Sequence, residues 1–421
     1  MQTTWTDDTL LPGLMLLLCL PLHADDWPQW RGPARDGHAV GGAPLLALSH
    51  DTQPVWKRAL GPGFSSPIVV GAKLIVLEAR DGREKVLALE AATGRELWSH
   101  DLAEAFGDEW GTGPRSTPFA DGDRLYAQSC NGEFRCLNLA DGTLRWRINF
   151  ADFGVRFLGN KAREGTASRR GNNGSGICDA DRVYVPVGST NNATIVALDK
   201  RTGRVLWRAM NEETAYSSLM LGAPGGVPQL IAFTGDSLAG LDPAQGRLLW
   251  RIPFRTAAKR HAATPVIFND LVIVNSHSIG LVATRIQREG NALRATGAWT
   301  NRSLKINLST PVLHQGYLYC QGPNKDYVCV EAASGQLQWS QPGFGRGPKD
   351  NCSTIVLGQH LLVLAEDGQL TLLAANPERC QELGRLQACG STWSHPAWAR
   401  GRLYVRDERE LKCFLLAPPA P

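Results

Sequence analysis

The sequence predicts an all-β protein that folds as one eight-bladed β-propeller, and three observations support this. The first is a motif that recurs at roughly 40–50 residues, the mark of a repeat architecture. In this motif a glycine turn leads into a strand that ends in tryptophan. The second is a Ser/Thr-Pro pair that opens many of the units. The third is that the two ends of the chain carry complementary, incomplete units. Clear copies of the tryptophan motif are Thr93–Trp98, Asp141–Trp146, Thr202–Trp207, Gln245–Trp250 and Ser334–Trp339.

The incomplete ends predict how the ring closes. Residues 54–60 read as a tryptophan strand whose earlier partners are missing, while residues 401–415 read as a hairpin with no tryptophan strand after it. A strand supplied by the N-terminal end would complete the last sheet and leave no open edge, which is how propellers protect their edges.

Eight units can be counted in order along the chain. The first begins at Ser65-Ser66-Pro67 and the second at Ser116-Thr117-Pro118, and the next two span about residues 171–210 and 216–254. The remaining four open at Ala263-Thr264-Pro265, Ser309-Thr310-Pro311, Ser353-Thr354 and Trp393-Ser394-His395-Pro396. The seventh unit lacks its tryptophan. Because the motif tryptophans hold a fixed place after a glycine turn, we expect them to pack between blades.

The first 24 residues are predicted to be a secretory signal. Leu10–Leu22 is apolar but shorter than the about 20 residues that span a bilayer, and cleavage is expected two residues later, after the small residue Ala24. Asp7 and Asp8 precede this run where a signal is normally basic. Lipidation at Cys19 is an alternative. We therefore expect residues 25–421 to form a single exported propeller domain, periplasmic or secreted, without a transmembrane span.

Residues 26–37 have no periodicity and contain two tryptophans and two prolines. We expect this stretch to be a loop whose indoles dock against the body of the propeller. Its indole rings are too large and apolar to be left in solvent without a partner.

The chain has ten cysteines, without a CxxC pair or two adjacent cysteines, so haem attachment and zinc ribbons are unsupported. If Asn324-Lys325 is a hairpin turn, Cys320 and Cys329 lie opposite each other and are a candidate disulfide. Cys380 with Cys389 is an alternative pair. The same register places Ala127, rather than Cys130, opposite Cys136.

These motifs resemble those of a known family. The Gly-x-x-x-Trp repeats are similar to the pyrroloquinoline-quinone-like (PQQ-like) propeller repeats of quinoprotein dehydrogenases and of BamB, an outer-membrane β-barrel assembly lipoprotein. Three stretches resemble, more closely, exported PQQ-like propellers of planctomycete-type bacteria. They are Trp27–Pro33 with Asp36-Gly37, Gly225–Leu230, and the ending from His395-Pro396 to Asp407. The resemblance covers essentially the whole mature chain and implies the propeller fold.

The resemblance says less about activity. Quinoprotein dehydrogenases would imply adjacent cysteines under the quinone, a calcium site and often a haem module, and the sequence has neither the cysteine pair nor a haem motif. The nine histidines show no metal-ligand spacing, and no nucleophile elbow or phosphate loop is present. We assign no catalytic and no metal-binding residue, and we expect no cofactor. A PQQ- and calcium-dependent oxidoreductase or a polysaccharide-active enzyme remains the alternative.

Basic residues concentrate in loops that join one unit to the next, and in a propeller these loops share one face. The net charge of +4 is too small to indicate a nucleic-acid partner. These loops nevertheless hold a clear excess of basic over acidic residues, whereas the loops after the first and third units carry acidic residues. We therefore expect segregated charge. The candidate binding residues are Arg163, Arg169, Arg170, Lys259, Arg260, Arg302, Lys305, Arg346 and Lys349.

The functional hypothesis from the sequence is a non-catalytic, monomeric binding or scaffold module. The expected partner is a protein, an anionic polysaccharide or a lipid head group, held at the basic loop face.

Overall fold

The computed structural model describes residues 25–41, 45–156, 170–256, 259–346 and 351–418. Eight four-stranded antiparallel sheets, the blades, follow one another in a ring. No α-helix occurs in the described part of the chain, and therefore no helix there is long and apolar enough to cross a bilayer. The predicted all-β class and the number of blades are confirmed.

The first half of the chain forms strand β1 and four blades. β1 is Trp56–Ala59. Blade 1 contains β2 (Ile68–Val70), β3 (Lys73–Arg80), β4 (Arg83–Glu90) and β5 (Glu96–Glu104), and the two-residue strands β6 (Gly107–Asp108) and β7 (Gly111–Thr112) follow it. Blade 2 contains β8 (Phe119–Asp121), β9 (Arg124–Gln128), β10 (Glu133–Asn138) and β11 (Leu144–Asn149). Blade 3 contains β12 (Ile177–Cys178), β13 (Arg182–Val185), β14 (Ile195–Asp199) and β15 (Val205–Ala209). Blade 4 contains β16 (Met220–Gly222), β17 (Gln229–Phe233), β18 (Ser237–Leu241) and β19 (Leu248–Pro253).

The second half of the chain forms the remaining blades. Blade 5 contains β20 (Val266–Phe268), β21 (Leu271–Ser276), β22 (Gly280–Glu289) and β23 (Ala292–Asn301). Blade 6 contains β24 (Val312–His314), β25 (Tyr317–Gln321), β26 (Asp326–Glu331) and β27 (Leu337–Pro342). Blade 7 contains β28 (Cys352–Leu357), β29 (His360–Ala365), β30 (Gln369–Ala374) and β31 (Gln381–Gln387). Blade 8 contains β32 (Ala397–Ala399), β33 (Arg402–Arg406) and β34 (Glu410–Leu415). Short 3₁₀ helices occur at Phe150–Phe153 and Pro224–Gly226.

Strand β1 closes the ring, as predicted from the incomplete ends. It pairs antiparallel with β34 as the outermost strand of blade 8, with Trp56 opposite Cys413 and Ala59 opposite Glu410. The first and last parts of the propeller are therefore joined by backbone hydrogen bonds, and blade 8 has no missing strand.

The repeat tryptophans pack between blades, as expected, and five of the indoles lie over the glycine turn of the next blade: Trp56, Trp98, Trp146, Trp207 and Trp299. The ring of Trp98 in blade 1 covers Gly142 in blade 2, and that of Trp56 covers Gly94 in blade 1. In Trp56, Trp146, Trp207 and Trp299 the indole N–H donates to a carbonyl of the same turn, for example from Trp56 to Ala91 at 3.2 Å, whereas the N–H of Trp98 has no partner among the described residues. Trp250 differs, since its N–H donates to Gln229 within its own blade.

The hydrophobic core lies between the blades. Its clusters each draw on neighbouring sheets, as in the packing of Ile75 and Val86 of blade 1 with Leu125 and Ala127 of blade 2. Alternate residues of a strand therefore pack toward different neighbours, and each blade depends on two others for burial of its faces.

Blade 7, which lacks the tryptophan, is covered differently. Leu48 forms a parallel bridge to Gly384 in the outer strand β31. A side chain at Gly384 would collide with the backbone carbonyl of Leu48, and Leu45 and Leu48 are buried in the same core cluster as blades 7 and 8. The segment before β1 thus replaces the missing indole and protects this edge.

We call residues 25–39 the plug, because they cross the central channel. Its backbone completes the inner strands of several blades. Trp27 forms a bridge to Val69 of blade 1, the carbonyl of Pro28 accepts from the Ala120 amide of blade 2 at 2.9 Å, and the Ala39 amide donates to Val356 of blade 7. The expectation that the indoles dock is confirmed, since Trp27 is 1% exposed.

Side chains of the plug reach the other blades. Arg35 donates to the carbonyls of Gly176 and Leu219, which precede the inner strands of blades 3 and 4. Contacts to the remaining blades are Trp30 to Thr264 (3.0 Å), Arg31 to Pro311 (2.7 Å) and Asp26 to Arg400 (2.5 Å). The plug therefore contacts all eight blades and closes the channel on one side.

Candidate functional site

A ring of hydrogen bonds at the starts of the inner strands shapes the channel. In each of five junctions a backbone N–H of one blade donates to the Ser or Thr hydroxyl that opens the neighbouring blade. These junctions are Ser66 to Thr117 (3.3 Å), Thr117 to Ser175 (2.9 Å), Ser175 to Ser218 (3.0 Å), Thr264 to Thr310 (3.0 Å) and His395 to Ser66 (2.8 Å). The Ser and Thr residues that open the blades, several of them in the Ser/Thr-Pro pairs seen in the sequence, therefore link neighbouring blades around the channel.

A cavity of about 640 Å³ lies above this ring. Each of the eight loops that join one blade to the next contributes to its wall, and Trp30 and Arg31 of the plug also line it. Its size is within the range of small-molecule pockets. Since the plug fills the channel on the other side, the cavity is blind.

One wall of the cavity is aromatic. Phe64 and Trp393 lie with their ring centroids 5.3 Å apart, and Trp110 lies 6.4 Å from Trp393. Trp110 is 39% exposed at the β6–β7 turn. These rings come from blades 8 and 1, so the platform occupies one side of the ring.

A buried carboxylate anchors the loop that carries Trp110. Glu84 accepts from the Cys130 amide at 2.9 Å and from the Phe106 amide at 3.3 Å. Burial raises the pKa of Glu84 to about 7, and this effect exceeds that of the two hydrogen bonds, which lower the pKa. Glu84 therefore ties the loop after blade 1 to blade 2.

Three arginines of the loops line the cavity. Arg115 forms a buried pair with Asp108 at 2.5 Å and lies over the rings of Phe64 and Phe106. Arg170 pairs with Glu109. The half-buried Arg260 of blade 5 forms no ion pair with a described residue, and blade 5 lies across the ring from blade 1.

Several polar atoms at the cavity have no hydrogen-bond partner among the described residues. They are the buried atoms Arg115 Nε, Asn173 Oδ1 and Asn307 Oδ1. Buried polar groups are nearly always satisfied in proteins, so each such atom needs an explanation. A ligand in the cavity would supply the missing partners.

The floor of the cavity is rigid. His395 is fully buried, its ring lies 6.0 Å from that of Trp27 and 5.5 Å from that of Trp30, and its Nδ1 lies 2.7 Å from the Pro396 carbonyl oxygen. Burial, with the nearby Arg31 charge, lowers its pKa to about 4. The imidazole is therefore neutral at physiological pH.

The structure brings together only some of the candidate binding residues. Arg170 and Arg260 line the cavity. Lys259 lies beside it and pairs with Asp236 at 3.0 Å and Glu213 at 3.5 Å. The side chains that are exposed on the loops are Arg302, Lys305 and Arg346. The candidates outside the described residues are Arg163, Arg169 and Lys349.

The expected segregation of charge is wrong for part of this face. Glu109 follows blade 1 and Glu213 follows blade 3, yet they pair with Arg170 and Lys259. Neighbouring loops fold toward each other across the blade boundaries, so acidic loops neutralise basic ones. Among the described loop residues that line the cavity, Arg260 carries the positive charge without an ion pair, while Arg31 of the plug donates to backbone carbonyls.

The predicted opposition of Cys320 and Cys329 is also wrong. Cys320 pairs with Val328, and Cys329 pairs with Tyr319, so the two thiols lie on opposite faces of blade 6. Cys320 packs with blade 5 and Cys329 with blade 7, and both are free, as are Cys380 and Cys389. The hairpin loop has three residues, ending at Lys325 with φ +57°, rather than two. The same loop length places Arg135, not Cys136, opposite Ala127.

Sequence reasoning missed the aromatic wall and the two asparagines. Trp110 and Trp393 stand outside the repeat motif, so the sequence does not assign them to the packing between blades. Their position outside the motif could have identified them as candidate binding residues. Asn173 and Asn307 lie in irregular loops and have no sequence signature.

The residues do not fit a calcium-bound quinone. The described lining of the cavity includes no Asp or Glu that could ligate calcium, and its one cysteine, Cys352, stands between Asn351 and Ser353 rather than next to a second cysteine. No cluster of three His, Cys, Asp or Glu with metal-binding geometry occurs within the described ranges.

Comparison with known proteins identifies the family. The model of a PQQ-like repeat family described as outer membrane protein assembly factor BamB matches residues 41–165 and 82–302. The chain belongs to this family. Among curated BamB-family proteins it is 23% identical to outer membrane protein assembly factor BamB of Moranella endobia over 299 residues, which are 68% of this chain and 66% of that protein. It is 23% identical to the Yersinia pestis protein of the same name over 254 residues, 58% of this chain and 60% of that protein.

The chain thus spans slightly less than two thirds of the length of these curated BamB-family relatives. The crystal structure of BamB from Moraxella catarrhalis superimposes with a TM-score of 0.57 at 15% identity, covering 86% of this chain and 99% of that one. At this identity the likeness concerns the fold.

Proposed function

We propose that this chain is an exported, non-catalytic propeller that binds an anionic partner at the blind cavity and its surrounding loops. The observation that carries the proposal is the chemistry of the cavity wall. Its described lining contains four arginines, among them Arg260, which forms no ion pair with a described residue, together with hydroxyl, amide and aromatic groups and no carboxylate. Such a wall attracts an anion and offers it hydrogen-bond partners.

The family supports a binding role in the cell envelope. The relatives are named as factors in outer-membrane protein assembly, and by analogy we place this chain in the periplasm, as a scaffold that contacts a protein or another anionic component of the envelope. The predicted signal, residues 1–24, lies outside the described residues and is consistent with this placement.

The test is equilibrium binding of the purified protein to three anionic probes: a poly-glutamate peptide, oligogalacturonate and phosphatidylglycerol vesicles. We expect binding to at least one probe, and we expect it to weaken between about 20 mM and about 500 mM salt because the interaction is electrostatic. Arg260→Glu should reduce the affinity at least about tenfold, which corresponds to about 1.4 kcal/mol.

The matched control is Arg201→Glu, which makes the same charge change at an exposed turn between β14 and β15, at the opposite end of the strands. This variant should bind like the wild type. A failure to bind any of the three probes, or an equal loss in both variants, would contradict the proposal. A dye-linked oxidation assay with PQQ and calcium should show no turnover, and turnover that depends on both would favour the oxidoreductase alternative.

A further inference from the structure

We propose that the ligand of the blind cavity is the end of an acidic saccharide chain that carries carboxylate groups. This inference rests on the proposed function and specifies the chemistry of the anion. Three features of the cavity decide between a saccharide and other anions: its aromatic wall, its orphaned acceptor atoms and its closed floor.

The aromatic wall suits a sugar ring. Phe64, Trp110 and Trp393 form one continuous platform at the mouth, with neighbouring centroids 5.3 Å and 6.4 Å apart. Trp110 is left 39% exposed although it is large and apolar. A sugar ring presents an apolar C–H face to such a surface and polar hydroxyls at its edge, which matches the amphipathic character of indoles at binding surfaces. A small inorganic anion is too small to cover this platform, whereas a sugar ring is not.

The amide oxygens without a hydrogen-bond partner require a ligand that can donate hydrogen bonds. Asn173 Oδ1 and Asn307 Oδ1 are acceptors without a partner among the described residues, and both residues line the cavity. A carboxylate, a sulfate or a phosphate dianion offers only acceptors and cannot satisfy them, whereas a sugar hydroxyl donates and accepts. Arg115 Nε is an orphaned donor in a side chain that is 8% exposed, and it suits an acceptor oxygen of the same ligand.

The acidic group of the ligand is assigned to Arg260. The side chains of Arg115 and Arg170 already pair with Asp108 and Glu109, but Arg260 has no such partner in the described part of the chain. Blade 5, which carries Arg260, lies opposite the aromatic platform of blades 8 and 1. A ligand that stacks on Trp393 and reaches Arg260 must therefore extend across the mouth.

Because the floor of the cavity is closed, only the end of a saccharide polymer can enter it. Trp30 and Arg31 of the plug form the floor, and Arg31 is fixed by hydrogen bonds to the carbonyls of Asp36 and Pro311. A polymer cannot thread through the propeller, so its terminal sugars enter the cavity and the remainder leaves by the same opening. The volume of about 640 Å³ is compatible with a short oligosaccharide.

Isothermal titration calorimetry with three trimers of matched length tests the inference. The probes are trigalacturonate, a neutral galactose trimer and a triglutamate peptide. We expect trigalacturonate to bind at least about tenfold more tightly than either of the other two, because only this probe combines hydroxyl donors with carboxylates.

Two isosteric variants locate the site. Asn307→Asp keeps the shape of the side chain but places a negative charge at the wall, and we expect it to weaken trigalacturonate binding at least about tenfold. Asn291→Asp makes the same change at the exposed turn between β22 and β23, away from the cavity, and should bind like the wild type. Thermal unfolding of both variants checks that they are folded.

The outcomes separate the two proposals. Equal or tighter binding of triglutamate overturns the saccharide inference and leaves the anion-binding function intact. Equal binding of the neutral galactose trimer overturns the requirement for an acidic sugar. Absence of binding by every anionic probe, including those used above, overturns both. Unchanged trigalacturonate affinity in Asn307→Asp also overturns the inference, because the ligand then lies elsewhere.

Discussion

Because a tryptophan packs directly on a glycine of the next blade, replacing that glycine by alanine should lower the stability of the protein. A Cβ at Gly142 would lie 2.5 Å from Trp98, and φ there is +74°. At Gly122, in a turn of the same blade with φ +57°, a Cβ would meet no heavy atom within 4 Å. Alanine at either position pays about 1–2 kcal/mol for the left-handed backbone. We expect Gly142→Ala to lose about 1–3 kcal/mol more from overpacking, measured by urea denaturation. An equal loss in the two variants would show that Trp98 moves aside freely.

The buried His395 predicts a pH dependence of stability. Its folded pKa of about 4 lies below the ordinary value of 6.5, so the unfolded chain binds the proton more tightly. The stabilising contribution is complete above pH 6.5 and is lost as the pH falls toward 4, by about 3 kcal/mol in total. Glu84 acts in the opposite direction, since its raised pKa makes stability decrease as the pH rises from 4.5 to 7.

Single variants separate these two opposed contributions. In His395→Gln the loss of stability between pH 6.5 and 4 should become smaller than in the wild type, while the contribution of Glu84 stays. Urea denaturation of both proteins across this pH range measures the difference. Parallel pH profiles for the wild type and His395→Gln would show that the imidazole is not held neutral in the folded protein.

Residues that belong to the repeat could be predicted from the sequence, whereas only Arg170 and Arg260 of the cavity lining were among the predicted binding residues. The position of Trp98 follows from its motif, because every blade requires the same packing. Arg260 was named for its charge alone, while Asn307 and Trp393 become site residues only when eight loops distant in sequence converge. The error at Cys320 has a local cause, since a three-residue hairpin loop shifts the register by one and turns every side chain to the other face.

At the scale of elements, the plug does more than the docking loop that the sequence predicted. Its composition indicated a loop with buried indoles, but not that one segment contacts all eight blades. The inner strands present open edges to the channel, and an open edge must be paired or covered. Arg35 illustrates how the plug meets this need, since it is 1% exposed and its guanidinium donates to backbone carbonyls near blades 3 and 4. Burial lowers its pKa to about 9, which leaves it charged at neutral pH.

Removal of this guanidinium should destabilise the protein strongly. Arg35→Met leaves the carbonyls of Gly176 and Leu219 buried without their donor, and we expect a loss of about 2–5 kcal/mol in the free energy of unfolding. Arg201→Met, at an exposed turn, should change stability by less than about 0.5 kcal/mol. Hydrogen exchange of residues 25–39 should increase in Arg35→Met. A loss below about 1 kcal/mol, with unchanged exchange, would show that the plug is not held by this residue.

At the scale of the whole molecule, the ring is held by similar contacts at its closure and at its other boundaries. Blade 8 is assembled from the two ends of the described chain, with β1 paired to β34. The hydrogen-bond ring also passes through the closure, because the His395 amide donates to the Ser66 hydroxyl at 2.8 Å. Trp56 packs on Gly94 as Trp98 packs on Gly142. The closure is therefore noncovalent but closely similar to a junction within the chain, although the Trp56 N–H donates to Ala91 whereas the Trp98 N–H has no partner among the described residues.

This similarity predicts that Trp56→Ala and Trp98→Ala have similar effects, although only Trp56 lies at the closure. Each variant removes an indole that packs between blades, and we expect each to lose about 3–5 kcal/mol and to retain a single unfolding transition. Calorimetry measures the transitions, and hydrogen exchange of β34 reports on the closure itself. In Trp98→Ala, exchange in β34 should rise only as much as global stability falls. If Trp56→Ala instead unfolds in two steps, with blade 8 opening before the rest, the closure is a weak point of the ring and the cooperativity argued from its contacts is wrong.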